Sequence, residues 1–180
     1  MVYVLLGTGF EETEAIVPVD LLRRAGIDVI TVGLNGKTVY GGHNIGIAAD
    51  ITVEQMDLTK LEMIVLPGGL GGVASIKAST LAMDAIRFAY ENNKFVAAIC
   101  AAPTILADLG ISEDKQVVCY PGCEEEMGKA HILPNTACVR DGKIITGTSA
   151  GCAPAFALEL IAALRSREEA GRIAKQIVIL

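Results

Sequence analysis

Short apolar runs alternate along the chain with longer amphipathic stretches, and this alternation limits the possible folds more than any other feature of the sequence. The runs VYVLL, EMIVL and KFVAAI are apolar almost throughout, and they stop at Gly7, Pro67 and Cys100. Such runs are typical of strands that are buried on both faces of a sheet. Because the stretches between them have helical periodicity, the sequence predicts an α/β fold with a doubly wound, mostly parallel sheet sandwiched by helices.

The other segments extend this pattern. KTVYGGHNIGIAA predicts a β-hairpin appended to the main sheet, CVRDGKIIT predicts a second hairpin that turns at Asp141-Gly142, and KQVVCY predicts a further strand. The chain has no linker and no internal repeat, so we expect one domain over residues 1–180. The inner face of the helix predicted in TLAMDAIRFAYENN consists of Leu81, Ala85, Phe88 and Ala89.

Composition argues against several classes of protein. The chain carries 15 basic and 21 acidic residues, a net charge of −6 at pH 7, and no tryptophan, so we expect no nucleic-acid partner. No apolar stretch is long enough to cross a membrane, and VYVLL lacks the charged segment and long apolar run of a signal peptide, so we expect neither a membrane span nor a signal peptide. An odd number of cysteines, five, in a chain long enough to fold without disulfides indicates free thiols and a cytoplasmic location.

Four chemically unusual segments follow predicted strands. They are Gly7–Glu14, Pro67–Gly72, Cys100–Pro103 and Cys119–Cys123. In doubly wound folds, binding sites lie at the carboxyl ends of the strands. We therefore expect a site where these segments meet at one edge of the sheet.

Cys100 lies where the run FVAAI meets a predicted helix, and this position allows two interpretations. A residue at a sharp strand-to-helix turn is exposed above the sheet, as the nucleophile is in a nucleophile elbow. The positive end of the following helix would favour the thiolate form of this cysteine. The alternative is that Cys100 only fills space, since free cysteines are among the most buried residues and are usually inert.

An acidic cluster begins the first predicted helix. It consists of three glutamates, Glu11, Glu12 and Glu14, although one acidic residue would be enough to interact favourably with the positive end of the helix. The spacing allows one of them to point over the sheet end towards Cys100. A carboxyl group held beside a thiolate is driven to take a proton. It can then donate a hydrogen bond to the sulfur or move protons at a substrate carbon.

The glycine-rich segment LPGGLGG offers backbone amides at the end of its strand. Gly68 and Gly69 can turn their N–H groups towards a ligand and, with the amide of Ala101, form a candidate oxyanion hole. The alternative is a flexible loop with no part in binding.

Nucleotide and metal sites fit the sequence less well. Gly7-x-Gly9 resembles a dinucleotide fingerprint, but Glu12 replaces its third glycine and would repel a pyrophosphate. The spacing of Cys119 and Cys123 is loose for a zinc site completed by His131 and Cys138, so we expect no metal and no cofactor. One of these two cysteines is instead expected near Cys100, where it could resolve an oxidised thiol. His43 is expected to be a solvated turn residue.

The motifs taken together resemble the ThiJ/PfpI superfamily, and within it the subfamily of Parkinson disease protein 7 and its bacterial relatives. The likeness covers nearly the whole chain and rests on GFEETEA, VPVDLLRRAG, LPGG, AAICAAP and FALELIAAL. It implies a flavodoxin-like fold of the class I glutamine amidotransferase-like type, a homodimer and a reactive cysteine. By position in the motifs, Cys100 matches the family nucleophile, Glu14 the acid that hydrogen-bonds it, and Gly69 and Ala101 the amides that line the anion site.

The sequence departs from the family pattern at two places. Many relatives have His-Pro where this chain has Tyr120-Pro121, and a phenol is a poor base at neutral pH. Tyr120 is therefore a substrate-binding candidate, and proton transfer falls to Glu14 alone or to His131. The cysteine of the family's dimer interface is also absent, since Ala48 and Ala49 occupy that stretch.

The resemblance implies an enzyme whose partner is a small reactive aldehyde or a glycated substrate. A glutathione-independent glyoxalase that converts methylglyoxal to lactate, or a deglycase, fits this implication. The alternative is a redox-sensing, stress-protective protein or chaperone in which Cys100 oxidises to a sulfinate. A peptidase, as in other branches, would need a histidine where Ala101 stands.

Overall fold

A seven-stranded sheet forms the centre of the computed structural model, which describes residues 1–179. The strands are β1 (Val2–Leu6), β2 (Val29–Gly33), β3 (Thr38–Tyr40), β4 (Gly46–Ala48), β5 (Ile51–Thr52), β6 (Met63–Leu66), β7 (Phe95–Ile99), β8 (Gln116–Val117), β9 (His131–Ile132), β10 (Cys138–Asp141) and β11 (Ile144–Gly147). The order in the main sheet is β10-β11-β7-β6-β1-β2-β5. Only β10 runs antiparallel to its neighbour in this sheet.

Helices cover both faces of the sheet, which confirms the predicted doubly wound sandwich. They are α1 (Glu12–Arg24), α2 (Leu70–Ala78), α3 (Thr80–Glu91), α4 (Pro103–Asp108), α5 (Ala153–Leu164) and α6 (Arg167–Gln176). The pleat of β1 divides the core: Val2, Val4 and Leu6 pack with α1, α5 and α6, whereas Tyr3 and Leu5 pack with α2, α3 and α4. Because both faces are covered, β1 is buried at every position.

The glycine-rich segment after β6 is the start of helix α2 rather than a flexible loop. Its glycines let two backbones pack against each other, because a Cβ atom on Gly72 would lie 2.7 Å from the Cα atom of Phe10. Gly9 is equally close to Gly71, with 2.8 Å between an added Cβ atom and the Gly71 Cα atom. This contact leaves no room between them for the pyrophosphate of a dinucleotide.

Three predicted elements differ in detail from the structure. The hairpin over 37–49 forms as β3 and β4 but is a separate two-stranded sheet. The strand predicted over 115–120 is shortened to β8, which pairs with β9 outside the main sheet. The inner face of α3 also differs from the prediction. Its buried residues are Ala82, Ala85, Ile86 and Ala89. Leu81 and Phe88, which were predicted to lie on this face, are 49% exposed and half-buried respectively.

The helices of residues 1–179 include none with both the length and the apolar composition that a membrane crossing requires.

Candidate active site

The four segments singled out in the sequence meet at the carboxyl edge of the sheet. Three of them follow β1, β6 and β7, which are adjacent parallel strands and so end side by side. The fourth, Cys119–Cys123, comes from outside the main sheet. It is joined to the others by a hydrogen bond in which the amide of Tyr120 donates to the carbonyl oxygen of Cys100 over 2.8 Å.

Cys100 occupies a strained backbone turn directly after β7. Its φ is +66°, in the left-handed region that residues other than glycine adopt rarely. The amide of Cys100 donates to the carbonyl oxygen of Gly147 at the end of β11 over 2.9 Å, and its carbonyl oxygen accepts from Tyr120. These two hydrogen bonds hold the strained turn, which has the strand-to-helix geometry predicted for a nucleophile elbow.

Glu14 is the acid of the cluster that reaches Cys100. It lies in the first turn of α1 and is completely buried. Its Oε2 atom accepts a hydrogen bond of 2.8 Å from the amide of Gly68, and its Oε1 atom receives no hydrogen bond within the described chain. Burial raises the pKa of Glu14 from 4.5 to about 7, although hydrogen bonds with Cys100 and Gly68 act in the opposite direction.

The sequence predicted that the following helix would favour the thiolate form of Cys100, and the structure does not confirm this. Burial raises its pKa to about 12, and both the negative charge of Glu14 and the hydrogen bond to Glu14 add to this rise. The amides of Ala101 and Gly69 face the sulfur and lower the pKa, but by less. Helix α4 begins only at Pro103 and is too short to supply a strong dipole. When Glu14 holds a proton, both of its contributions to the raised pKa disappear.

Gly68 separates the acid from the cysteine, and no larger residue fits there. A Cβ atom at this position would lie 2.5 Å from Glu14 Oε2 and 2.7 Å from Cys100 Cβ. The amide of Gly68 is already used by Glu14, so the prediction that it would face a ligand is wrong. The amides left to stabilise an oxyanion are those of Gly69 and Ala101, which already face the sulfur.

Glu12 has a different task from Glu14. Its carboxylate accepts hydrogen bonds of 2.8 Å from both the backbone amide and the Nδ1 atom of His43, which ties the β3–β4 loop to the start of α1. The side chain of His43 is 69% exposed, as predicted, but it is paired rather than simply solvated. Ligand atoms of Glu11, Glu12 and His43 lie within 4.8 Å of one another, yet a metal ion there would have to replace the His43–Glu12 hydrogen bond.

A cleft of about 440 Å³ opens above Cys100 and is named the Cys100 cleft below. The sequence predicted Glu14, Gly69, Cys100, Ala101 and Tyr120 among its lining residues. It also indicated Glu11, Cys123 and, within Pro67–Gly72, Leu70 as neighbours, but gave no sign of Ser149–Gly151. The strand-end rule applied to β11 would have found Ser149–Gly151. The lining is Glu11, Glu14, Gly69, Leu70, Cys100, Ala101, Tyr120, Cys123, Ser149, Ala150 and Gly151.

The remaining cysteines and His131 do not form a second centre with Cys100. Cys123 lines the Cys100 cleft, whereas Cys119 faces a neighbouring cavity of about 540 Å³. His131 is exposed on β9 and does not line the Cys100 cleft, so it cannot replace the family histidine. In residues 1–179, the side chains of Cys119, Cys123, His131 and Cys138 do not come together in a group that could hold a metal ion.

Comparisons with known proteins identify the family and the fold. A family model described as "DJ-1/PfpI family" matches residues 1–163 of the chain. Protein dj-1beta of Drosophila melanogaster is 36% identical over 178 residues, covering 98% of this chain and 95% of the relative. The Parkinson disease protein 7 homolog of Danio rerio is 31% identical over 180 residues, with the same coverage. The crystal structure of Drosophila melanogaster DJ-1beta has a TM-score of 0.95 at 35% identity, covering 99% of this chain and 97% of that one. Toxoplasma gondii DJ-1, solved as an oxidized protein, has a TM-score of 0.91 at 27% identity, with coverage of 98% and 97%.

The raised pKa of Glu14 makes stability depend on pH. Between about pH 4.5 and pH 7 the folded chain binds this proton and the unfolded chain does not, so the free energy of unfolding falls as the pH rises. Relative to the Glu14→Gln variant, we expect the wild type to lose about 3 kcal/mol across this window. Urea unfolding of both proteins from about pH 4 to about pH 8.5 measures the difference. A wild-type-minus-variant difference that is independent of pH would show that Glu14 has an ordinary pKa.

The acid–thiol pair also predicts how Cys100 reacts. The pair loses its first proton with a pKa near 7, and the remaining proton stays mainly on sulfur because the pKa of Cys100 is about 12. A minor form, in which Glu14 holds this proton and Cys100 is a reactive thiolate, appears with the same pKa near 7 and then stays constant. We expect the rate of Cys100 alkylation by iodoacetamide, followed by mass spectrometry, to rise through an inflection near pH 7 in the wild type. Glu14→Gln should remove this inflection and leave only the thiol's own rise at higher pH, whereas Glu11→Gln should keep it. Identical profiles for the wild type and Glu14→Gln would show that the two titrations are not coupled.

Proposed function

The chain belongs to the DJ-1/PfpI family, and from this premise we propose that it is a cysteine-dependent enzyme that acts on small reactive carbonyls. The single observation that carries the proposal is the contact of buried Glu14 with half-buried Cys100 beneath a cleft with two free amides. A carboxyl group with a pKa of about 7 both accepts and returns protons at neutral pH. Such a group suits the isomerisation of a 2-oxoaldehyde to a hydroxy acid, for example methylglyoxal to lactate.

The first step is addition of Cys100 to the aldehyde carbon. The thiol proton passes to the Glu14 carboxylate as the carbon–sulfur bond forms, which avoids a free thiolate in a buried site. The amides of Gly69 and Ala101 stabilise the oxygen of the resulting hemithioacetal. This step uses Glu14 in its ionised form, which predominates above pH 7.

The later steps transfer protons and add one water molecule. Glu14 first returns the thiol proton to the hemithioacetal oxygen and so becomes a carboxylate again. It then removes the hydrogen from the former aldehyde carbon and delivers it to the neighbouring carbon, while the hydroxyl proton moves to the oxygen of that neighbouring carbon. The hemithioacetal thereby becomes a thioester of the 2-hydroxy acid. Water then hydrolyses the thioester, releasing the hydroxy acid and regenerating the Cys100 thiol. The sum is one aldehyde and one water converted to one hydroxy acid, with no external oxidant or reductant. A deglycase reaction would use the same pair on an adduct of the aldehyde with an amine or thiol.

The proposal is tested by methylglyoxal turnover in purified protein. Cys100→Ala should lower lactate formation by about a hundredfold or more, because the carbon–sulfur bond cannot form. Glu14→Gln, which keeps an oxygen for the Gly68 amide, should lower kcat by a similar factor because proton transfer is lost. Cys123→Ala is the matched control, since it removes the other thiol of the Cys100 cleft and should leave turnover unchanged. Full turnover by Cys100→Ala would rule out this mechanism.

A second candidate function is redox sensing with a stress-protective role. It is favoured by the arrangement around the sulfur, because the amides of Gly69 and Ala101 and a protonated Glu14 would together receive the two oxygens of a sulfinate. Peroxide supplies these oxygens: one molecule converts the thiolate to a sulfenate, a second converts that to a sulfinate, and each is reduced to water. The oxidized form in which Toxoplasma gondii DJ-1 was solved agrees with this chemistry in the family.

Limiting peroxide tests this second function. Mass spectrometry should show two added oxygens at Cys100 before the other four cysteines react, since Glu14 and the amides stabilise only this sulfinate. Glu14→Gln should leave more Cys100 as the sulfenate and less as the sulfinate, because the carboxyl proton that stabilises the sulfinate is lost, whereas Cys119→Ala should not change this ratio. If Cys119, Cys123, Cys138 or Cys152 is oxidised first in the wild type, Cys100 is not a sensor.

A further inference from the structure

Two large apolar side chains stand exposed at the rim of the Cys100 cleft. Leu70 is 82% exposed and Tyr120 is 49% exposed, and both line the same cleft as the cysteine. Exposed leucine and tyrosine side chains gain free energy when a ligand covers them, in proportion to the apolar area removed from water. The exposure of both residues at one opening therefore favours a ligand with apolar surface.

The backbone fixes both side chains relative to the sulfur. Leu70 is the first residue of α2 and directly follows Gly69, whose amide faces Cys100. Tyr120 is fixed in the same way, since its own amide donates to the Cys100 carbonyl oxygen over 2.8 Å. Each rim residue is thus next to a backbone amide that contacts Cys100, and both line the cleft into which a substrate bound to the sulfur would extend.

The charge and size of the cleft narrow the choice of ligand further. Among the described residues that line it, the ionisable carboxyl groups of Glu11 and Glu14 are not balanced by any lysine or arginine. A substrate with a carboxylate or phosphate group would be repelled by these acids. A volume of about 440 Å³ lies in the range that accommodates ligands far larger than a three-carbon aldehyde.

We infer that Leu70 and Tyr120 form an apolar rim that selects neutral 2-oxoaldehydes carrying an apolar or aromatic substituent over methylglyoxal and over anionic carbonyls. The aldehyde carbon reaches Cys100 while the substituent lies between the two side chains. This inference rests on the proposed carbonyl chemistry, and it adds the substrate class and the residues that recognise it.

Turnover of phenylglyoxal and methylglyoxal tests the rim. The wild type should have the higher kcat/KM for phenylglyoxal, and Leu70→Ala should lower that value by about tenfold while changing methylglyoxal by less than about twofold. Leu81→Ala is the matched control, because Leu81 is also an exposed helical leucine but lies outside the Cys100 cleft. Equal effects of Leu70→Ala on the two substrates, or a wild-type preference for methylglyoxal, would overturn the inference while leaving carbonyl turnover intact.

Alkylation of Cys100 tests the rim without any turnover. The wild type should react faster with the aromatic reagent phenacyl bromide, relative to iodoacetamide, than Leu70→Ala or Tyr120→Ala does. Leu81→Ala and Tyr90→Ala, which alter exposed residues elsewhere, should keep the wild-type ratio. If no 2-oxoaldehyde is turned over but the ratio falls only in the two rim variants, the carbonyl function fails and the apolar rim stands. If the ratio is the same in all five proteins, the rim does not recognise apolar groups.

Discussion

A carboxyl group buried without a cation decides the chemistry of this protein. Glu14 is fully enclosed, and its nearest polar neighbours are one backbone amide and the thiol of Cys100. A carboxylate in such a place is disfavoured unless it takes a proton, and a thiolate beside it is disfavoured for the same reason. Near neutral pH the carboxyl group of Glu14 therefore exchanges its proton while the Cys100 thiol keeps its own. Two glycine contacts allow this arrangement. Gly68 has no side chain, so Glu14 and Cys100 can both lie against it, and Gly71 and Gly72 of α2 allow the loop after β1 to pack closely against the helix.

The fold supplies this contact through strand order and a strained turn. Since β6 lies between β1 and β7, the residues that follow these three strands must meet, and the acid, the glycine and the cysteine come one from each. The positive φ of Cys100 costs on the order of 1–3 kcal/mol and persists because β11 and the Tyr120 segment each bond its backbone. Strain of this kind keeps the sulfur above the sheet rather than in the core. Cys100 is accordingly half-buried, and the view that it only fills space does not account for this.

Sequence reasoning found the elements whose apolar pattern is continuous and missed those that depend on tertiary packing. β1, β6 and β7 were predictable because buried parallel strands are apolar at every position. Helix α2 was not, since two glycines weaken its local signal and are explained only by contact with Phe10 and Gly9. The orientation of the Gly68 amide and the exposure of Leu70 depend on a single peptide turn and were equally out of reach. One domain over residues 1–180, a homodimer and a cytoplasmic location stay predictions.

Replacement of the family histidine by Tyr120 connects mechanism with selectivity. The chain has two histidines; His43 is held by Glu12, and His131 is exposed on β9 away from the cleft. In the proposed mechanism, proton transfer then rests on Glu14, whose pKa near 7 gives it the range that an imidazole would have. A base at position 120 would add a polar group to the rim, whereas a phenol ring adds apolar area opposite Leu70. In the proposed mechanism, the substitution that leaves proton transfer to Glu14 therefore also makes the entrance suited to an apolar substrate.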